Sequence, residues 1–244
     1  MLGEKSDEEL SKDVLQYLES NYEGEFEMTY SHWICNEGNL TSGCPSYELA
    51  FINKENPNRA FYVLVSYEND TMKVIQDDYQ DLLISLYAEK QVNKFLSAKH
   101  QNRIAGVEVS YLYPESELNK DSIALFMKKE VAHQSYSRVS IAIIDTLTNE
   151  TELMYDSLVW TTILHLDSMY ANSGILEVHF YNDSIEGTIQ DLKPFIFTGN
   201  PPQQEKITHI WYLQFDMDYF EQYNVSLTPK TIDSLTSKRE SYYN

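Results

Sequence analysis

The chain has 244 residues, of which 42% are hydrophobic and 13% aromatic, with 8 glycines and 7 prolines. This composition excludes a collagen-like, low-complexity or disordered chain, and the length is enough for one large domain or two modest ones, each with its own core. Thirty-eight acids oppose 18 bases for a net charge of −20, spread evenly: 18 acids and 8 bases in residues 1–100, 20 and 10 in residues 101–244. Such a polyanion repels nucleic acid and anionic lipid, whose binding depends on Lys and Arg. The bases cluster no further than the pairs Lys128–Lys129 and Lys238–Arg239. The charge therefore predicts no nucleic-acid binding, and suits either a cationic partner or solubility alone. No apolar run approaches the roughly 18–20 residues that span a bilayer.

Met1-Leu2-Gly3 leads directly into the polar segment Glu4–Lys12, with no signal-peptide pattern. The expectation is a cytosolic protein or the mature ectodomain of an exported one. Residues 7–20 place Leu10, Val14 and Leu18 on one helical face, and Ser6 with Glu9 makes a capping-box pattern ahead of it. After Asn21 and Gly24, strands are predicted at Glu25–Ile34, Tyr47–Ile52, Ala60–Tyr67 and Met72–Ile75, separated by clusters of turn formers. Asp77-Asp78 opens a long helical pattern to Lys99, with Leu82, Leu83, Leu86, Tyr87, Lys90, Val92 and Phe95 near helical spacing.

Beyond Gly106, Val107, Val109, Tyr111 and Tyr113 alternate as a half-buried strand, followed by a predicted helix at Asp121–Ala132 and a strand at Ser137–Leu147. A helix is predicted over Glu150–Tyr170 with Leu153, Leu158, Thr161, Leu164 and Ser168 on one side. Strands at Ile175–Tyr181 and Ile207–Phe215 follow. The expected fold class is α+β: two small layered subdomains, each with helices packed on a mostly antiparallel sheet. Their expected limits are residues 1–100 and a split-βαβ-like 101–227, with a boundary near 97–105, and 228–244 is expected to be a polar C-terminal tail, helical or frayed.

Cys35 and Cys44 flank a loop of turn formers, which suits a disulfide that would contribute about 2–3 kcal/mol in an oxidising compartment. Two cysteines do not make a structural zinc site. Sequons occur at Asn39, Asn69, Asn149, Asn182 and Asn224, as chance produces in a chain rich in Asn and Ser.

Three segments carry a resemblance: Tyr17-Leu18-Glu19-Ser20-Asn21-Tyr22-Glu23-Gly24-Glu25-Phe26-Glu27, Asn56-Pro57-Asn58-Arg59-Ala60-Phe61-Tyr62-Val63, and Asp77-Asp78-Tyr79. Together they resemble uncharacterised cell-envelope lipoproteins of Gram-positive bacteria, over residues 10–95 and more loosely over 138–181. The chain departs from that pattern in having no lipidation cysteine near residue 1 and in its inserted cysteine loop. The resemblance implies an extracytoplasmic location, with any membrane contact made only through an N-terminal anchor, and supplies no activity and no catalytic residues.

No Gly-rich phosphate loop, His-Glu-x-x-His, Gly-x-Ser-x-Gly or EF-hand pattern is present. The six histidines never fall three or four residues apart, so no cofactor, metal ligand or catalytic residue is assigned. His179 and His209 stand on strands that would let them meet across a sheet. Asp216 and Asp218 flank Met217 at a strand end, where paired carboxylates on one face would divide acid and base roles in a hydrolase. Solvated acids at a strand terminus explain them more simply.

Tyrosine is abundant, at 19 residues. Its apolar body and polar tip suit protein or glycan contact as well as sheet packing. The expected interaction surface is Tyr111, Tyr113, Trp211, Tyr212, Asp216, Asp218 and Tyr219. The sequence thus points to a non-enzymatic, extracytoplasmic interaction module, the soluble part of a lipoprotein, that binds a protein or envelope component. The alternative is an acidic immunity or inhibitor protein that neutralises a basic partner such as a toxin.

Overall fold

The structure is a computed structural model that describes residues 5–34, 46–68, 70–98, 102–111, 135–169, 173–195, 201–226 and 228–240. The loop with Cys35 and Cys44, Tyr113 and the segment expected to be a helix at 121–132 lie outside the described residues. The fold is α+β, with a four-stranded and a five-stranded sheet. The chain divides into two compact units, Met1–Leu82 and Leu83–Asn244.

The first unit opens with α1 (Asp7–Asn21), whose capping box is formed as its sequence requires: Ser6 accepts from the Glu9 backbone while the Glu9 carboxylate accepts from that of Ser6. Those hydrogen bonds hold the Glu9 carboxyl below its usual range. Leu10, Val14 and Leu18 are fully buried, each contributing about 1.5–3 kcal/mol of apolar burial. They face a meander of β1 (Phe26–Ile34), β2 (Ser46–Asn53), β3 (Ala60–Glu68) and β4 (Thr71–Asp77), all antiparallel in chain order.

Gly24, at φ +128°, lets the chain pass Asn53, where a Cβ would come within 2.6 Å of the Asn53 amide. Asp77 joins the layers: its Oδ2 accepts from the hydroxyls of Tyr17 and Tyr22, at 3.0 and 2.8 Å. Its Oδ1 accepts from the Tyr79 backbone at the start of α2 (Tyr79–Ser97). Burial, reinforced by Asp77, pushes the Tyr22 hydroxyl far above its ordinary range.

The second unit carries a sheet ordered β5 (Arg103–Tyr111), β6 (Ser135–Ile144), β7 (Ser173–Tyr181), β8 (Ile207–Asp216), β9 (Ser237–Glu240). Every pair is antiparallel except β6 with β7, which α3 (Asn149–Met169) joins as a crossover. One face packs under α3, where Tyr155 meets Phe180 at 5.0 Å and Phe180 meets Trp211 at 4.9 Å. Part of the opposite face is closed by the 3-10 segment Ile189–Phe195, whose Leu192 packs with Ile104, Ala142, Tyr181 and Ile207.

The outer edge of β5 is sealed by side chains rather than by a strand. Ser85, Glu89 and Asn93 repeat every four residues along α2 and so share one helical face. Asn93 reproduces a strand partner, accepting from the Ala105 backbone N–H at 2.8 Å and donating to its C=O at 2.7 Å. Glu89 accepts from Val107 N–H at 3.4 Å and Ser85 from Val109 N–H at 2.8 Å. Beside this polar row Ile84, Ala88, Val92 and Leu96 form a fully buried apolar one.

Several expectations need correction. The division between units falls inside α2 rather than at 97–105. In the C-terminal segment Pro229–Leu235 is a helix, within the expected helical or frayed reading, but Ser237–Glu240 is β9, the edge strand, which was not expected. On α3 the buried stripe is Tyr155, Leu158, Val159, Ile163 and Leu166, whereas Leu153 and Leu164 are exposed. The spacing 155, 158/159, 162/163, 166 follows the helical repeat more closely than 153, 158, 161, 164, 168 does.

Candidate functional site

Alternation along the C-terminal half of β8 divides its side chains cleanly: Trp211, Leu213 and Phe215 are buried, while Tyr212, Gln214 and Asp216 face outwards. β8 ends where Asp216 caps a short helix, α4 (Met217–Gln222), its Oδ1 accepting from the Tyr219 backbone N–H at 3.0 Å. That turn brings the Tyr219 side chain back beside the strand. The second helix of this region, α5 (Pro229–Leu235), is capped by Thr228, begins with its proline, and leads through Thr236 into β9. Between these elements lies a groove of about 360 Å³, lined by Tyr212, Gln214, Asp216, Tyr219, Leu235 and Ser237 with Phe215 and Phe220.

Lys238 locks β9 in place. Its ammonium lies 2.9 Å from Glu152, 2.7 Å from Asp156 and 2.6 Å from Asp233, and 4.2 Å above the Trp211 ring. Burial alone would lower its pKa, but these carboxylates outweigh it and raise the group above its ordinary range. Burial raises Asp156 in turn, and the Lys238 charge only partly offsets that. Among the described residues no group of three His, Cys, Asp or Glu side chains is placed to hold a metal ion.

On the same face as the groove, Arg138 Nη2 lies 3.5 Å from Glu177 Oε1, and His179 Nε2 lies 3.6 Å from Glu177 Oε2. Glu177 is the register partner of Tyr212, so this polar cluster adjoins the groove. Burial depresses the His179 pKa, opposed by the Glu177 carboxylate and aided by Arg138.

Of the seven residues expected at an interaction surface, Tyr212, Asp216 and Tyr219 converge on the groove. Trp211 does not belong with them: it is 1% exposed and belongs to the α3-covered face, because adjacent strand residues point to opposite sides. Tyr111 is the last residue of β5, and its side chain, like that of Asp218, lies outside the described residues. The strand alternation expected to set Asp216 and Asp218 on one face does not reach Asp218, since Asp216 ends the strand as a helix cap and Asp218 belongs to α4. His179 and His209 do not meet, for His179 pairs with Ile210 and His209 with Phe180, which puts the two rings on opposite faces. Gln214, Leu235 and Ser237 were not expected. Gln214 was accessible from the alternation with Tyr212 and Asp216, whereas Leu235 and Ser237 sit in the segment expected to be a tail.

No family model matches the chain, and no curated protein matches it. Among solved structures, a DUF5037 family protein from Ruminococcus gnavus ATCC 29149 is similar at 17% identity and a TM-score of 0.47, covering 71% of this chain and 75% of that one. No helix among the described residues is long and apolar enough to cross a membrane.

Proposed function

We propose that this protein is a non-enzymatic interaction module that works outside the cytoplasm as the soluble part of an envelope lipoprotein. It engages a cationic protein or envelope component through the β8 groove. The observation that carries the reading is the groove itself: two exposed tyrosines, Tyr212 at 38% and Tyr219 at 53%, stand with the exposed Asp216 on a chain of net charge −20. Tyrosine gives contact area at small entropic cost, and the charge steers a basic partner towards it. The extracytoplasmic setting is supported by the lipoprotein resemblance of residues 10–95 and by the spacing of Cys35 and Cys44 among turn-forming residues in the sequence.

The test is retention of a basic polypeptide from solubilised envelopes of the source cells by the immobilised protein. Retention at low salt, release at about 0.5 M salt, and loss with Tyr212→Ala/Asp216→Asn/Tyr219→Ala are expected. Equal retention by the triple variant would overturn the reading. The even spread of acidic charge over the chain favours a second reading, an immunity protein that neutralises a basic toxin. Recovery of the protein from the cytosolic fraction with both thiols reduced would select it.

A further inference from the structure

β9 pairs only with His209–Tyr212 of β8. Leu213–Asp216 therefore have no strand partner on that side among the described residues, and the groove opens there, lined by Gln214, Phe215 and Asp216. In a strand, alternate residues direct their C=O groups to each side, so this incomplete edge offers backbone acceptors. The Asp216 carboxylate adds another, because its Oδ1 holds the Tyr219 backbone N–H while its Oδ2 remains for a ligand. Gln214 contributes a side-chain amide oxygen, and the Tyr212 and Tyr219 rings contribute aromatic faces.

We propose that this groove is an acceptor site for an arginine side chain presented by the partner. The inference rests on the interaction-module reading and specifies the chemistry the partner brings. A guanidinium carries five donors in a planar fork and stacks on aromatic rings, which matches a mostly apolar groove with two tyrosines and an acceptor carboxylate, Asp216, among its lining. A lysine ammonium is a compact, strongly hydrated point charge and uses neither the planar faces nor the spread of acceptors as well. At about 360 Å³ the groove is at the small end of ligand clefts, suited to one long side chain rather than a folded element. The net charge of −20 provides the complementary field.

The experiment titrates the full chain with three blocked pentapeptides, serine–glycine–Xaa–glycine–serine, with Xaa arginine, lysine or citrulline, and follows backbone amide shifts by NMR. The arginine peptide is expected to shift residues 212–216, 219 and 235–237. The lysine peptide should bind about fivefold more weakly and the neutral citrulline peptide at least about tenfold more weakly. Asp216→Asn keeps a good helix cap and so preserves the fold; it should weaken the arginine peptide about tenfold. Equal binding of the arginine and lysine peptides, or shifts elsewhere on the chain, overturns the arginine site while leaving a charge-driven interaction module standing. Absence of binding by either cationic peptide overturns both.

Discussion

Along β5, one margin of the five-stranded sheet, α2 lays Ser85, Glu89 and Asn93 against the backbone and satisfies Val109, Val107 and Ala105 in turn. Along β8, at the other margin, β9 covers His209–Tyr212 and leaves Leu213–Asp216 beyond its end. An unpaired edge invites other chains to add to it, and proteins manage that hazard explicitly. Here one edge is closed with side chains that imitate a strand. The other is closed over part of its length by a strand that a single lysine holds down, and the stretch beyond that strand borders a groove. The difference shows how one sheet can suppress indiscriminate pairing at one margin while keeping addressable backbone at the other.

Breaking the lock on β9 should have the largest effect. Lys238→Met leaves the buried Asp156 carboxylate without its cation and should destabilise the fold by about 3 kcal/mol in urea denaturation. With β9 released, the whole of β8 is open, so the variant should also self-associate with rising concentration in sedimentation experiments. Opening the other edge comes next. Asn93→Leu strands both backbone groups of Ala105, for a loss of about 2 kcal/mol by the same measurement. Adding Ser85→Ala should deepen the loss almost additively, the two contacts being two helical turns apart. Smaller still, Asp216→Ala removes the cap of α4 and should cost about 1 kcal/mol.

A pH series separates the edges further. The Lys238 pKa is raised in the folded state, so its stabilising contribution is complete below the ordinary lysine value of about 10.4 and is lost as pH climbs through the raised value. The stability gap between the native chain and Lys238→Met should therefore hold to about pH 10 and then narrow, whereas Ser85 and Asn93 do not titrate and the gap to Asn93→Leu should not follow that course.

Local signals were legible where one stretch of chain contained the whole cause. Ser6 and Glu9 announced the start of α1, and the period of Leu10, Val14 and Leu18 its buried face. Alternation along β8 put Tyr212 and Asp216 on one side, and applied strictly it also removes Trp211 from that surface. β9 was not legible, because four polar residues hold no apolar period. What stabilises them is register against His209–Tyr212 and an ion pair to Glu152, 86 positions away in sequence. The polar row on α2 was hidden for a related reason: Ser85, Glu89 and Asn93 look like a solvated stripe until the β5 edge is set against them. The groove combines both cases: Tyr212, Gln214, Phe215 and Asp216 sit on a periodic strand, Tyr219 and Phe220 on the helix that Asp216 caps, and Leu235 and Ser237 on a segment ordered by contacts distant in sequence.

The ammonium poised over Trp211 makes the state of the C-terminal strand visible to light. That indole is almost wholly dry at 1% exposure and sits 4.2 Å beneath a cation, whereas Trp33 is 48% exposed. Detachment of β9 admits water to the first chromophore and leaves the second in the solvent it already occupies. In a Trp160→Phe background, which removes the third indole of the chain, emission should redden from a single site, giving an unlabelled optical gauge of whether the margin beside the groove is closed.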